Sequence, residues 1–203
     1  MKIIHSSANS IWAAWVLATA VGTALGFSVS WIIGPLFSWD EYDFYFVFVM
    51  LFLIGLLVGF CQWLILRARF KNAWGWIPVT ASMLPIGIYV GFLGLASVVP
   101  SEFIGIPVAE HDYLVAGCTA GILLGVFQWL SLHKGTRDIW RWILASVLSW
   151  GIGIAIPLFM MDTYARTSDE GMLMGVAFFF FVGAAVGVIN GAFVNACIFS
   201  LTG

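Results

Sequence analysis

The sequence predicts an all-helical integral membrane protein, six transmembrane helices laid out as three tandem two-helix hairpins. Three observations lead there. Of 203 residues, 62% are hydrophobic and 9% are charged, and mean hydropathy is +1.04; a soluble domain carries about 25% charged residues. Five polar breaks divide the chain into apolar runs, each long enough to cross a hydrocarbon core of about 30 Å at about 1.5 Å per residue. The third observation is an internal repeat whose unit is a helix pair.

The runs cover residues 11–36, 44–66, 74–99, 113–132, 140–161 and 172–199. Lipid offers no partners to backbone N–H and C=O groups, so a spanning segment must satisfy them internally, as a helix does. The runs are apolar throughout, without the alternation of barrel strands. Residues 1–203 are expected to form one transmembrane domain with repeat units at 11–67, 74–133 and 140–200. Lys2, followed by an apolar run containing Ala18-Thr19-Ala20, imitates a cleavable secretion signal. The run continues from Val21 to Ile33 and matches two internal helices, so it is expected to be retained.

Charge sets the direction. Lys2, Arg67, Arg69, Lys71, Lys134, Arg137 and Arg141 lie at the N-terminus or in the second and fourth connections. Asp40, Glu41, Asp43, Glu102, Glu110, Asp112, Asp162, Asp169 and Glu170 lie in the first, third and fifth; only Arg166 and Asp138 break the pattern. By the positive-inside rule both termini face the cytoplasm. Trp12, Trp15, Trp63, Trp74, Trp76, Trp129, Trp140 and Trp142 gather near that boundary, which reads as an aromatic belt at headgroup depth.

Residues 59–88 align without gaps on residues 125–154, matching Gln-Trp-Leu and then Trp-x-Trp-Ile in register. Even-numbered helices carry Gly55-x3-Gly59-x2-Gln62, Gly121-x3-Gly125-x2-Gln128 and Gly183-x3-Gly187-x2-Asn190. Odd-numbered helices carry Trp15-x3-Thr19-x6-Gly26, Trp76-x3-Thr80-x6-Gly87 and Trp142-x3-Ser146-x6-Gly153. Three units in one orientation imply a pseudo-threefold axis along the membrane normal. Glycines four apart share a helix face and let backbones approach closely. The amide that follows on that face suggests two roles. Gln62, Gln128 and Asn190 could bond to Thr19, Thr80 and Ser146 as interhelical glue, or the six could line a polar pocket open to the cytoplasm. Asn190 in place of Gln, and Gly191 in place of Trp63 and Trp129, would make the third copy its asymmetric side.

The segment at residues 62–67, Gln-Trp-Leu-Ile-Leu-Arg, and its weaker copy at 128–133 resemble a motif of tryptophan-rich, multi-pass bacterial membrane proteins. That resemblance spans the hairpins and implies a bacterial inner-membrane location, but no activity. The three-hairpin layout is also similar to mitochondrial carriers, whose Pro-x-Asp/Glu-x-x-Lys/Arg gates are absent from every hairpin here; that relationship is rejected.

Chemistry finds little to stand on. No Asp, Glu, Lys or Arg lies in the middle of a run, which argues against a charge-relay pump. Glu110-His111-Asp112 with Glu102, in the loop stiffened by Pro100 and Pro107, reads as a solvated outer loop rather than a metal site. His5 and His133 sit on flanks and His111 on the opposite side, so no bis-His haem is expected, although pigments held by other ligands stay open. Cys61, Cys118 and Cys197 are single and apolar in context, and suggest neither zinc nor disulfides. No triad, metal or phosphate-loop motif is present, so no catalytic residue and no cofactor are expected. Without a basic groove interleaved with aromatics, nucleic acid is not an expected partner. Pro78, Pro85 and Pro157 suggest kinks. The expected function is to bind or move a lipidic or neutral amphipathic ligand, with membrane lipids as surroundings. The alternative is a non-catalytic accessory or scaffold subunit, with partner membrane subunits or further copies of the chain around it.

Overall fold

Each apolar run becomes one helix, because a backbone in an apolar setting must bond to itself. In the computed structural model these are α1 (Ala8–Ile33), α2 (Phe44–Leu66), α3 (Trp76–Val98), α4 (Glu110–Leu132), α5 (Ile139–Tyr164) and α6 (Gly171–Phe199). The structure describes residues 8–37, 44–68, 70, 73–98, 110–132, 139–164 and 171–199. Short 3-10 turns at Gly34–Phe37 and Ala73–Gly75 follow α1 and lead into α3. The third apolar run therefore starts in a 3-10 turn and becomes α-helical only at Trp76. Pro78 falls in the first turn of α3, where its missing N–H has no partner to lose, and α3 runs through Pro85. Residues 1–7, 99–109 and 133–138, with His5, His133, Glu102, Pro100 and Pro107, lie outside the described residues, as do the side chains of Glu110, His111, Asp112, Pro157 and Cys197.

Among the described residues, five helices, α1 to α4 and α6, are long and apolar enough to cross a membrane; in α5 the side chains beyond Ile154 lie outside the described residues. Burial agrees with a lipid surround. Leu17, Leu25, Leu93, Leu173 and Phe181 stand on the exterior, while Thr19, Thr23, Ser30, Gln62, Thr80, Gln128, Ser146, Ser149 and Asn190 are buried. Polar groups inside and large apolar ones outside is the arrangement hydrocarbon demands.

Helices adjacent in the chain pack against each other, and α6 returns to pack on α1. Neighbours run antiparallel: Gly55 meets Thr80 and Ala81 while Gly59 meets Ile77, and Gly117, Gly121 and Gly125 meet Trp150, Ser146 and Ile143 in turn. Glycine makes these contacts possible. A Cβ on Gly121 would stand 2.5 Å from the Ser146 carbonyl oxygen, and one on Gly183 would stand 2.7 Å from that of Thr19. With no hydrophobic gain between helices in lipid, such backbone contact supplies the dispersion energy that holds the bundle. Hydroxyls inside the helices bond back to their own turn: Thr23 donates to the Thr19 carbonyl at 2.7 Å, Ser30 to Gly26 at 2.7 Å and Ser149 to Ala145 at 2.6 Å. They cost little there because the preceding turn satisfies them.

Two buried clusters fill the interior. One joins Ile54 and Val58 of α2, Leu84 and Ile88 of α3, Ala116, Ala120 and Leu124 of α4, Trp150 of α5, and Val182 and Val186 of α6. The second, at the end where α1, α3 and α5 begin, joins Ile11, Trp15, Leu66, Ala73, Trp76 and Trp142.

Candidate functional site

The second cluster is built on three indoles. Trp15, Trp76 and Trp142 are each edge-on to the other two, with centroid separations of 5.9 Å (Trp15–Trp76), 5.5 Å (Trp76–Trp142) and 6.5 Å (Trp15–Trp142). Edge-to-face pairs set the positive rim of one ring against the negative face of the next. Trp15, Trp76 and Trp142 are buried, so these three do not belong to a lipid-facing belt. Trp74 and Trp140 do stand on the exterior, at 69% and 79% exposure. The distinction was readable: in Trp74-x-Trp76 and Trp140-x-Trp142 the two rings lie about 200° apart around the helix, so only one of each pair can face lipid.

One turn above the indoles lie the six side chains singled out by the repeat, all buried. In the first station, Thr19 Oγ1 donates to the Trp15 carbonyl at 2.9 Å. Gln62 Nε2 donates to Thr19 Oγ1 at 3.0 Å, and Trp76 Nε1 donates to Gln62 Oε1 at 2.9 Å. One amide on α2 thus ties α1 to α3, and one indole N–H is satisfied by it. In the second station, Thr80 Oγ1 donates to the Trp76 carbonyl at 2.8 Å and Gln128 Nε2 donates to Thr80 Oγ1 at 3.0 Å. The Trp142 indole N–H does not follow Trp76 and has no partner among the described residues.

The third station differs. Among the described residues, Ser146 Oγ, Asn190 Oδ1 and Trp15 Nε1 are buried without a hydrogen-bond partner. These are the groups that would complete it: Ser146 on the helix before Asn190, Trp15 on the helix after. Asn190 is one methylene shorter than Gln62 and Gln128, which shortens its reach by about 1.5 Å. The α5–α6 seam is also wider. Gly26 and Gly87 press onto the backbones of Ile54 and Ala120, whereas Gly153 meets the side chain of Val186, whose Cα would lie 3.9 Å from a Cβ added at Gly153. On the other flank α6 keeps close to α1, with Gly187 against Val16 and Thr19. Gly191 lies against Trp12 and Trp15, and Trp12 Nε1 donates to the Val188 carbonyl at 3.3 Å. Trp12 therefore covers the face that Gly191 leaves bare.

These differences predict unequal costs. Gln62→Leu removes the acceptor of a buried indole N–H and a tie between two helices; the bundle is expected to lose about 1–2 kcal/mol. Asn190→Leu removes a carbonyl that has no partner and is expected to cost less than half as much. Unfolding of both variants in the same mixed micelles checks this, and equal losses would show that the three stations are energetically alike.

The sequence pattern marked all six polar side chains and the three indoles beside them, but assigned those indoles to the interface belt, whereas they are buried. Trp15 and Trp142 join Ser146 and Asn190 as buried groups with unmet hydrogen-bonding capacity. No protein family, no curated protein and no solved structure matches this chain.

Proposed function

We propose that this chain is a six-span bacterial inner-membrane protein that binds, or moves, a lipidic or neutral amphipathic ligand at its cytoplasmic-side polar layer. In this reading three hairpins are related by a pseudo-threefold axis, the Trp15–Trp76–Trp142 triangle lies on that axis, and both termini face the cytoplasm. The layer comprises Thr19, Thr80, Ser146, Gln62, Gln128 and Asn190. The observation that carries the reading is that this layer holds polar atoms buried without partners. A buried polar atom without a partner costs about 1–3 kcal/mol, and a ligand would remove that cost. The absence of charged residues from the described parts of α1 and α6 supports a neutral ligand.

A second reading draws on a different observation. Gln62 and Gln128 spend their amides on neighbouring helices, as structural glue would, and this supports a ligand-free accessory subunit. Native mass spectrometry of the full chain released from lipid discs separates the two. One retained small molecule per chain is the expected result. Co-purifying polypeptides with no such molecule would replace the binder with the subunit.

A further inference from the structure

We propose that the third station is the ligand site itself, that it takes the head of a neutral lipid alcohol, and that the molecule enters from the bilayer between α5 and α6. This rests on the binding reading above and narrows it to one station, one head chemistry and one route.

The head chemistry follows from the unmet groups. Trp15 Nε1 can only donate, Asn190 Oδ1 can only accept, and Ser146 Oγ can do either; all three are buried and have no partner among the described residues. A head that only accepts, such as a quinone or a simple ester, leaves Asn190 Oδ1 unserved. A head that only donates leaves the indole unserved. A hydroxylated head does both. The surroundings disfavour charge: residues 8–33, 142–161 and 171–199 contain no Asp, Glu, Lys or Arg to neutralise an ionic head, Arg141 at the start of α5 is exposed rather than turned into the bundle, and an unpaired charge in an apolar interior is costly.

The route follows from the seam. Gly153 lies seven residues beyond Ser146, about 10 Å further along α5 toward the bilayer centre. There α5 meets the Val186 side chain, where the matching glycines of α1 and α3 meet backbone. A side chain can swing aside and a helix backbone cannot, so of the three seams at these matching glycines this is the one an acyl chain can part. The other two stations are closed by the amides of Gln62 and Gln128.

The test places the full chain in discs of phosphatidylethanolamine and phosphatidylglycerol containing a monoacylglycerol with a diazirine in its tail. After irradiation, labelling is expected on peptides of α5 and α6. Asn190→Gln supplies the missing methylene, lets the amide bond as Gln62 does, and is expected to cut labelling by about tenfold without lowering the unfolding midpoint. Ser146→Ala, which removes one hydroxyl and adds no bulk, is expected to cut it several-fold, so the proposal does not depend on Asn190→Gln folding. The methyl ester of the same diazirine acid, lacking a donor, is expected to label weakly. Labelling spread evenly around the bundle, equal labelling by the ester, or labelling unchanged in both variants overturns the proposal; a trapped water would then serve these atoms. If wild type and both variants retain an endogenous molecule equally, this site falls while the binding reading stands. If wild type retains nothing and takes no probe, both fall.

Discussion

Gly121→Leu is expected to prevent α4 and α5 from packing, and Gly121→Ala to destabilise the bundle measurably. An added Cβ would lie 2.5 Å from the Ser146 carbonyl oxygen and 2.6 Å from the Val147 Cα. Both atoms are backbone in the middle of a helix, so no rotamer change relieves the clash and the two helices must separate. Separation costs the dispersion contacts along the seam, and it also moves Ser146, whose Cβ lies 3.2 Å from a Cβ placed on Gly125. Overpacking of this kind costs about 1–3 kcal/mol for one methyl, and the isobutyl group of leucine exceeds what the seam can yield. Gly94→Ala is the matched control, because a Cβ there meets nothing within 4 Å. Thermal unfolding in micelles or discs checks the pair. If Gly121→Ala unfolds at the same temperature as Gly94→Ala, close backbone approach is not what holds α4 on α5.

Trp76→Ala carries the second large effect. The side chain is fully buried, touches both other indoles edge-on, and donates to Gln62. Its removal leaves a cavity, which costs about 3–5 kcal/mol for a buried Trp in soluble cores. It also strips Gln62 Oε1 of its donor, adding roughly 0.6 kcal/mol or more. Trp76→Phe keeps most of the ring packing and should recover the larger part of the loss. Trp74→Ala, two residues away and mostly exposed, is expected to stay within about 0.5 kcal/mol of wild type. Steric trapping or denaturant titration in mixed micelles measures all three. Equal losses at positions 74 and 76 would refute a central role for the triangle.

Both expectations depend on groups that the linear pattern marks but does not connect. The Gly-x3-Gly-x2-Gln spacing places its three side chains on one face of one helix, since a period of about 3.6 residues brings positions four apart into line. In the structure that face meets the next odd helix at Thr80 or Ser146. Reading by depth instead of by period misplaces tryptophan. Trp15, Trp76 and Trp142 lie at a depth that suits an interface belt, and depth alone assigns them to it; their direction around the helix puts them inside. Asn190 shows a subtler limit. Its position in the repeat matches Gln62 and Gln128, so equivalence predicts an equivalent bond, yet its carbonyl has no partner among the described residues.

The sequence alone determined where the chain is helical, that its helices are long and apolar enough to cross a membrane, and which small and polar residues meet its seams. These follow from hydropathy and helical period, both local properties of consecutive residues. Tertiary structure decided which indoles turn inward, which amides find partners, and that the α5–α6 seam stays wider than its counterparts. The physical reason is reach: a hydrogen bond forms only within about 3.2 Å, so the shorter side chain of Asn190 and the wider α5–α6 seam together decide whether it exists, and the width of a seam is not a local property of the chain.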